Sequence, residues 1–261
     1  MIVLNFYAAV MEPSVTEQAL LSVDDFSKSF FLHEQNKRIP SASNVSLSVF
    51  PGKLTALVGP TGAGKSSVLK GIYGTYLAGS GKILYRTAAN EEVDLAQAAP
   101  HRLLDIRRHE IAFVTQFLHV LPRQSCEEVV AQPLMVQGVA RQDALERART
   151  MLAALNVPEA LWGIAPATFS GGEKQRVNLA RGFVFGARLL LLDEPTASLD
   201  PYTTELVVAQ LQKLKQQGVA MLAIFHQPEL VERLADSLVE LKVPVVGSNA
   251  KKEHAYENVH H

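Results

Sequence analysis

Residues 54–69 read LTALVGPTGAGKSSVL, and the rest of the chain is arranged around this stretch. Its first five residues are mostly apolar, which is typical of a buried strand. A glycine-rich turn begins at Gly59, and the residues from Lys65 onward have helical character. The stretch therefore predicts a strand, a loop and the start of a helix.

The loop fits the phosphate-loop pattern G-x-x-x-x-G-K-[ST]. Its glycines let several backbone N–H groups approach phosphate oxygens, and the N-terminus of the next helix adds positive potential. Lys65 is the expected cation at the β- and γ-phosphates of ATP, and Ser66 is an expected Mg²⁺ ligand. A chance glycine-rich turn is the alternative, which the flanking strand and helix disfavour. The expected nucleotide contacts in this loop are Gly59, Pro60, Thr61, Gly62, Ala63, Gly64, Lys65, Ser66 and Ser67.

The composition excludes several classes of function. Of 261 residues, 48% are hydrophobic, which is enough for a core, and the formal net charge of -1 offers no basic surface for nucleic acid. Apolar runs such as 219–225 are far shorter than the roughly 20 residues that cross a bilayer. Residues 1–11 lack the basic start of a signal peptide, and the single Cys126 allows no internal disulfide. We expect a cytoplasmic protein with no direct membrane span and no nucleic-acid partner.

Strand and helix patterns divide the chain. Alternating residues at 21–31 and 45–49 predict an antiparallel β layer before the phosphate loop. Strand patterns are absent between Ser125 and Ser170, where Ser125 and Glu128 form a capping-box pair. We expect an N-terminal extension at 1–20, one α/β domain at 21–246 with a helical insertion at about 117–170, and a disordered tail at 247–261. His254, His260 and His261 of the tail have no rigid element to hold them, so we expect no native metal site there.

Residues 189–194, LLLLDE, are the second strong signal. Four apolar residues predict a buried parallel strand, and two carboxylates follow at its end. Asp193 is suited to contact Mg²⁺ through water, and Glu194 is suited to polarise the water that attacks the γ-phosphate. An exposed acidic turn is the alternative, and the phosphate loop earlier in the chain disfavours it.

Residues 170–173, SGGE, open another predicted helix. Ser170 and Glu173 are spaced as a capping box, while the two glycines expose a helix N-terminus to an anion. Further along, Asp200 is a predicted helix cap with Pro201 at the first helical position. The chain therefore carries two helix starts suited to phosphate, which lie too far apart in sequence to form one loop.

Together these motifs resemble the ATP-binding cassette (ABC) ATPases from about residue 21 to 241. Residues 169–173, FSGGE, are similar to the family signature Leu-Ser-Gly-Gly-Gln, with different residues at the first and fifth positions. Residues 198–200 resemble the D-loop that follows the Walker B strand. Gln116 and His226, each at a predicted strand end, match the Q-loop and the H-loop.

The resemblance implies a P-loop NTPase of the ABC type, with a RecA-like core, an antiparallel β subdomain and an inserted helical subdomain. It implies head-to-tail pairing with a second ABC subunit, identical or different, with ATP between the phosphate loop of one and the signature of the other. The implied catalytic residues are Glu194, His226 and Gln116, and the implied metal contacts are Ser66, Gln116 and Asp193. The implied contacts to the partner's ATP are Ser170, Gly171, Gly172 and Glu173, with Asp200 in the D-loop.

Adenine recognition has a weaker signal. Members of the resembled family stack the base on an aromatic side chain of the first β layer, and Phe30 matches that position best. Phe26 and Phe31 lie beside it, so a core role for Phe30 is an equal alternative. His33 is close enough in sequence to be another candidate.

Four stretches are similar to the L-subunit branch of the bacterial carbon–phosphorus lyase system for phosphonate use. They are residues 31–36, 116–118, 155–162 and 168–183. This resemblance implies an ATP-binding and ATP-hydrolysing subunit of the carbon–phosphorus lyase machinery, with the other subunits of that system as partners. The alternative is the motor subunit of a membrane transporter of the lipoprotein or peptide exporter type. An ABC protein acting on nucleic acid is disfavoured by the net charge.

Overall fold

The computed structural model describes residues 18–32, 34, 36–118 and 123–244. Most of the expected extension, the candidate base contact His33 and the expected tail with its histidines lie outside these ranges. The strands are β1 Leu21–Leu32, β2 Lys37–Val49, β3 Leu54–Val58, β4 Ser80–Arg86, β5 Glu92–Asp94, β6 Ile111–Val114, β7 Leu189–Asp193, β8 Ala220–Ile224 and β9 Ser237–Glu240. The helices are α1 Lys65–Ile72, α2 Pro100–His109, α3 Cys126–Val136, α4 Arg141–Ala154, α5 Gly171–Val184, α6 Pro201–Gln216 and α7 Pro228–Leu234.

The predicted antiparallel layer is a four-stranded sheet of order β2-β1-β4-β5. Buried Leu21, Val23 and Phe26 give β1 the alternation seen in the sequence. Strand β2 begins at Lys37, well before the predicted 45–49, because its polar first half pairs with the end of β1. Pairing with a neighbour, and not the pattern of β2 itself, sets its length.

The second sheet is parallel and has the order β6-β7-β8-β3-β9. Every residue of β7 and β8 is buried, as expected for strands covered on both faces. The carboxyl ends of parallel strands meet at one edge of a sheet, where ligands of open α/β folds bind. This topology therefore brings the phosphate loop after β3 and the polar residues after β6, β7 and β8 to the same edge.

A partly buried polar cluster connects the two sheets. The Tyr85 hydroxyl on β4 donates to Glu110 Oε2 at 2.9 Å, and Arg188 Nη1 reaches the same oxygen at 2.9 Å. Glu110 directly precedes β6 and Arg188 directly precedes β7. Burial and the Glu110 charge raise the pKa of Tyr85, so the phenol stays a donor. The cluster fixes the start of the parallel strands against the antiparallel sheet.

The segment between β6 and α5 is helical. Its described residues 123–170 include no strand, as the sequence predicts. The capping box is formed, since Ser125 Oγ accepts from the Glu128 N–H and the Glu128 carboxylate accepts from the Ser125 N–H. Helix α3 packs against α4 and α5. No helix within the described ranges combines the length and the apolar character needed to cross a membrane.

Several boundaries differ from the predicted ones. The helical pattern that begins at Lys65 extends to Tyr76 in the sequence, whereas α1 ends at Ile72. The chain turns at Gly74, which has a φ of +74°. Helices α2 and α7 and strand β9 were not predicted, because they are short and α2 buries only Ile106. The positions of these elements depend on contacts with distant parts of the fold, which their own sequence patterns do not encode.

Candidate active site

The phosphate loop is held tightly from both sides. Gly64 has a φ of +90°, and a Cβ on it would lie 2.0 Å from the Ser41 carbonyl oxygen. Gly59 has a φ of +135°, and its Cβ would lie 2.3 Å from the Leu241 carbonyl oxygen. Only glycine fits both the conformation and the space at these positions. The motif glycines therefore let β2 and the residue after β9 approach the loop closely.

The cation of the loop lies over the loop itself. Lys65 Nζ donates to the carbonyl oxygens of Gly59 at 2.7 Å and Pro60 at 3.0 Å. Helix α1 starts behind Gly64 without a side-chain cap, so its first N–H groups are open to an acceptor outside the chain. An uncapped helix start beside a fixed ammonium group is suited to bind phosphate.

Ser66 and Asp193 meet as the motifs predict. Ser66 Oγ donates to Asp193 Oδ1 at 2.9 Å, and Asp193 is only 3% exposed. Burial raises the pKa of Asp193, and the hydrogen bond from Ser66 partly opposes this. A hydroxyl and a carboxylate are the oxygen ligands that Mg²⁺ prefers, so these two residues fit that ion. Ser67, by contrast, has its hydroxyl 2.7 Å from Ser41 Oγ.

The three predicted catalytic residues form one cluster. His226 Nε2 lies 2.6 Å from Glu194 Oε1, and Gln116 Nε2 donates to Glu194 Oε2 at 3.0 Å. Each residue follows a neighbouring parallel strand, which explains how positions so distant in sequence come together. Glu194 has a φ of +55°, a conformation that few non-glycine residues adopt. Gln116 makes its described contact with Glu194 and none with Ser66 or Asp193, so its metal role stays a prediction.

The signature residues form a capping box in this chain. The Ser170 N–H and hydroxyl each donate to Glu173 Oε2 at 2.8 Å, which lowers the pKa of Glu173. The start of α5 also borders a cavity of about 520 Å³. This cavity is lined by Gln116, Phe117, Leu118, Pro166, Ala167, Gly171, Lys174, Gln175, Ala197 and Ser198. No residue of the phosphate loop is among these lining residues.

The D-loop residue has a structural role of its own. Asp200 is the N-cap of α6 and accepts from the Thr203 N–H at 3.0 Å and the Thr203 hydroxyl at 2.6 Å. These bonds lower the pKa of Asp200. The helix cap predicted from the sequence is formed, and a contact of Asp200 with nucleotide stays a prediction.

Two phenylalanines of β1, Phe26 and Phe30, have different surroundings. Phe26 is fully buried and Phe30 is 37% exposed. The Phe30 ring stands edge-on to Tyr76 with centroids 5.2 Å apart, and Lys28 Nζ lies 5.3 Å from its centroid. Phe30 is thus reachable from solvent, while stacking on adenine stays a prediction.

Sequence reasoning missed two buried amides on α5. Gln175 and Asn178 are each 5% exposed, and both donate to main-chain carbonyl oxygens at the active-site edge. Their spacing of three places them on one helix face. Polar residues three apart are common on exposed helix faces, so this spacing does not indicate a buried face.

A phosphate loop at an uncapped helix start, beside two carboxylates that follow a buried parallel strand, is the arrangement of a P-loop ATPase. The family model "ABC transporter" matches residues 42–197. The lipoprotein-releasing system ATP-binding protein LolD 1 of Rhodospirillum rubrum is 36% identical over 229 residues, 86% of this chain and 96% of that protein. LolD 2 of Caulobacter vibrioides is 39% identical over 209 residues, 78% of this chain and 87% of that protein. The chain therefore belongs to the ABC family.

Solved structures agree with this assignment. The bacterial ABC transporter cassette MJ0796, solved as a dimer, matches with a TM-score of 0.77 at 26% identity over 85% of this chain and 94% of that one. The same cassette, dimeric in a post-hydrolysis state bound to ADP and Pi, matches equally well. The predicted fold class is confirmed, and the chain is an ATP-binding ABC ATPase.

Proposed function

We propose that this chain hydrolyses Mg²⁺-ATP as one member of a head-to-tail pair of ABC subunits and thereby drives a partner protein. The observation that carries the proposal is the cluster of Glu194, His226 and Gln116 at the edge that also holds the phosphate loop. The dimeric cassettes among its structural relatives support the pairing. The cavity at the start of α5 is not lined by the phosphate loop. A nucleotide that contacts both a phosphate loop and a signature would therefore lie between two chains, which also supports the pairing.

The residues act by binding and orientation. Lys65 leaves the two loop carbonyl oxygens for the β- and γ-phosphates, and the open start of α1 supplies N–H donors. Ser66 and Asp193 would hold Mg²⁺, which would supply charge neutralisation at the phosphates. Glu194 orients and polarises the attacking water. Each of its oxygens has one partner in this chain, and a carboxylate oxygen has a second lone pair that can accept from the water.

This proposal is tested by phosphate release from ATP by the purified chain. Hydrolysis is expected with Mg²⁺ and not with excess EDTA, and its rate per chain should rise with protein concentration because pairing is required. A rate per chain independent of concentration, from a protein that stays monomeric with ATP, contradicts the pairing.

The second cavity suggests where the driven partner docks. It has a volume of about 350 Å³ and is lined by three arginines, Arg107, Arg108 and Arg181, with aromatic Tyr73 and Phe113. The Arg107 guanidinium lies 4.1 Å from the Tyr73 ring centroid. No Asp or Glu is among the described lining residues. We propose that this surface receives a helical segment of the partner that carries a carboxylate beside apolar side chains.

The docking proposal has a matched pair of variants. Arg108→Glu reverses a charge in this cavity. Arg147→Glu makes the same change at an exposed position of α4 that does not line the cavity. Co-purification of the tagged chain with its partner from native cells should fall at least about tenfold for the first variant only. Equal recovery with both variants contradicts the docking site without affecting the ATPase proposal.

The relatives support a membrane permease as the partner. Both named relatives are ATP-binding proteins of lipoprotein-releasing systems, and on this basis we propose the motor subunit of an exporter as the first candidate. The matches extend over 78–86% of this chain, so they include more of it than the nucleotide motifs.

A subunit of the carbon–phosphorus lyase machinery is the second candidate. The stretches that resemble this system lie partly on the surface, since Phe117 is 68% exposed and residues 158–160 are exposed. Surface segments specify partners more often than the phosphate loop does. The exposed segments are available for contact with a partner, and the resemblance alone links that partner to phosphonates.

One experiment separates the two candidates. The gene is deleted, the cells are given methylphosphonate as the sole phosphorus source, and the native protein is fractionated. Normal growth with the protein in membranes beside an integral subunit supports the exporter and contradicts the lyase candidate. Failed growth, restored by the gene, with the protein in a soluble complex supports the lyase candidate and contradicts the exporter.

A further inference from the structure

Helix α5 is hydrogen-bonded, through the two buried amides, to the loops that carry the catalytic residues. Gln175 Nε2 donates to the Pro195 carbonyl oxygen at 3.0 Å and lies 3.5 Å from the Glu194 carbonyl oxygen. Asn178 Nδ2 donates to the Thr115 carbonyl oxygen at 2.6 Å. A buried amide is costly unless its hydrogen bonds are made, so these contacts tie the helix firmly to the two loops.

The loops at the other end of these bonds position the catalytic groups. Glu194 has a φ of +55°, a strained conformation for a non-glycine residue that persists only where neighbours enforce it. Its carbonyl oxygen also accepts from the Ala197 N–H at 3.1 Å. Thr115 directly precedes Gln116, the residue that donates to the Glu194 carboxylate. Both amides therefore affect the geometry of Glu194. Gln175 contacts the loop that carries Glu194, and Asn178 contacts the loop that carries its partner Gln116.

The same helix begins at the signature. A Cβ on Gly172 would lie 3.2 Å from the Ser198 carbonyl oxygen, so the first turn of α5 rests against the loop that follows Glu194. Gly172, Gln175 and Asn178 recur every three residues and share one face of α5. A shift of the helix start is transmitted through this rigid face to both catalytic loops.

We propose that Gln175 and Asn178 are positioning residues that couple the signature helix to Glu194 and Gln116. ATP held at Ser170 by a paired subunit then sets the hydrolytic geometry for the ATP in this chain's own phosphate loop. This inference rests on the head-to-tail pairing proposed above. It makes the two ATP sites of a pair interdependent through α5.

Gln175→Leu removes the donor at similar volume and tests the coupling. We expect kcat to fall about 10- to 100-fold, the effect of misplacing a catalytic group by up to 1 Å, while the Kd for ATP stays unchanged. The Hill coefficient for ATP, above 1 in the wild type, should approach 1. Gln137→Leu is the matched control, because Gln137 also donates an amide N–H to a main-chain oxygen, that of Phe185, away from the site.

A double variant separates positioning from general stability. In a Glu194→Gln background, Gln175→Leu should reduce the residual single-turnover rate by less than about twofold, because the residue acts through Glu194. An unreduced kcat in Gln175→Leu, a wild-type Hill coefficient of 1, or a full additional loss in the double variant overturns the proposal. If Gln175→Leu does not fold, Gln175→Asn keeps the amide but shortens its reach and is held to the same criteria.

Failure of the coupling and failure of the pairing give different results. If Ser170→Arg abolishes hydrolysis while Gln175→Leu keeps the wild-type kcat and Hill coefficient, the pairing stands and the coupling is wrong. If Ser170→Arg hydrolyses ATP normally as a monomer, the pairing itself is wrong.

Discussion

The Glu194 carboxylate is held between two partners, with His226 Nε2 2.6 Å from Oε1 and Gln116 Nε2 3.0 Å from Oε2. Its backbone N–H also donates to the Ile224 carbonyl oxygen of β8 at 3.2 Å. A carboxylate fixed in this way is oriented before the nucleotide arrives, which lowers the cost of ordering it in the transition state.

Glu194→Gln should slow hydrolysis by on the order of 10²–10⁴, the usual reach of a positioned general base, while ATP still binds. His226→Ala should act in the same direction, and the two effects should not add because the residues form one unit. Phosphate release and ATP affinity are measured for each variant. Glu205→Gln, on the exposed face of α6, is the control. A Glu194→Gln variant with the wild-type rate would assign the catalytic role to another residue.

Lys65→Ala should weaken ATP binding strongly with little change in melting temperature. The ammonium group contacts only two loop carbonyl oxygens among the described atoms, so its loss removes charge at the phosphates more than it removes packing. Isothermal titration and thermal melting are measured on the same preparations. Lys70→Ala, in the last turn of α1, is the control and should bind ATP normally. Unchanged affinity in Lys65→Ala is incompatible with the phosphate-loop interpretation.

The parts of the site that sequence predicts are those whose chemistry is local. Residues 59–66 carry the turn, the cation and the hydroxyl within one loop, and residues 193–194 directly follow a buried strand. Gln116 and His226 were found only through the resemblance, since a single polar residue after a strand is not distinctive. Their contact with Glu194 depends on the order of three parallel strands, which no single segment encodes.

The buried amides show where sequence reasoning stops. Gln175 lies two residues after Glu173 on α5, and its burial arises because this face of the helix packs against the loops after β6 and β7. The half of β2 before Ala42 is a similar case, because its strand structure comes from pairing with β1. In both cases the structure of a residue depends on a segment that is distant in the sequence.

Ser170→Arg should abolish hydrolysis and ATP-dependent pairing without preventing ATP from binding to the same chain. The arginine would occupy the space of the partner's γ-phosphate, while the phosphate loop is unchanged. The variant also loses a helix cap, which costs about 1 kcal/mol. Ser125→Arg loses the equivalent capping box at α3 and is therefore the matched control. Light scattering with and without ATP measures pairing, and a Ser170→Arg protein that still pairs contradicts the sandwich.

Asp193→Asn should abolish Mg²⁺-dependent hydrolysis without lowering the melting temperature. Burial raises the pKa of Asp193 above its ordinary value, so the folded chain holds this proton to higher pH than the unfolded chain does. Stability therefore falls as the pH rises through the window between the ordinary and the raised pKa, and the ionised carboxylate destabilises the metal-free fold above it. Asparagine removes that charge and keeps an oxygen that accepts from Ser66.

The measurement is thermal melting in EDTA at pH 7.5 and at pH 4, together with hydrolysis in Mg²⁺. At pH 7.5 the Asp193→Asn protein should melt at or above the wild-type temperature, and the difference should shrink at pH 4, because the raised pKa of Asp193 favours the protonated carboxyl as the pH falls. Asp236→Asn is the contrasting variant, because Asp236 pairs with Lys215 at 2.6 Å and accepts from the Leu54 N–H at 2.8 Å. Its loss should lower the melting temperature at pH 7.5. Asp193→Asn should not melt several degrees below the wild type at that pH. Such a drop would mean that the ionised carboxylate stabilises the metal-free fold, and it would contradict the conclusion that Asp193 is kept in the site at a cost to stability.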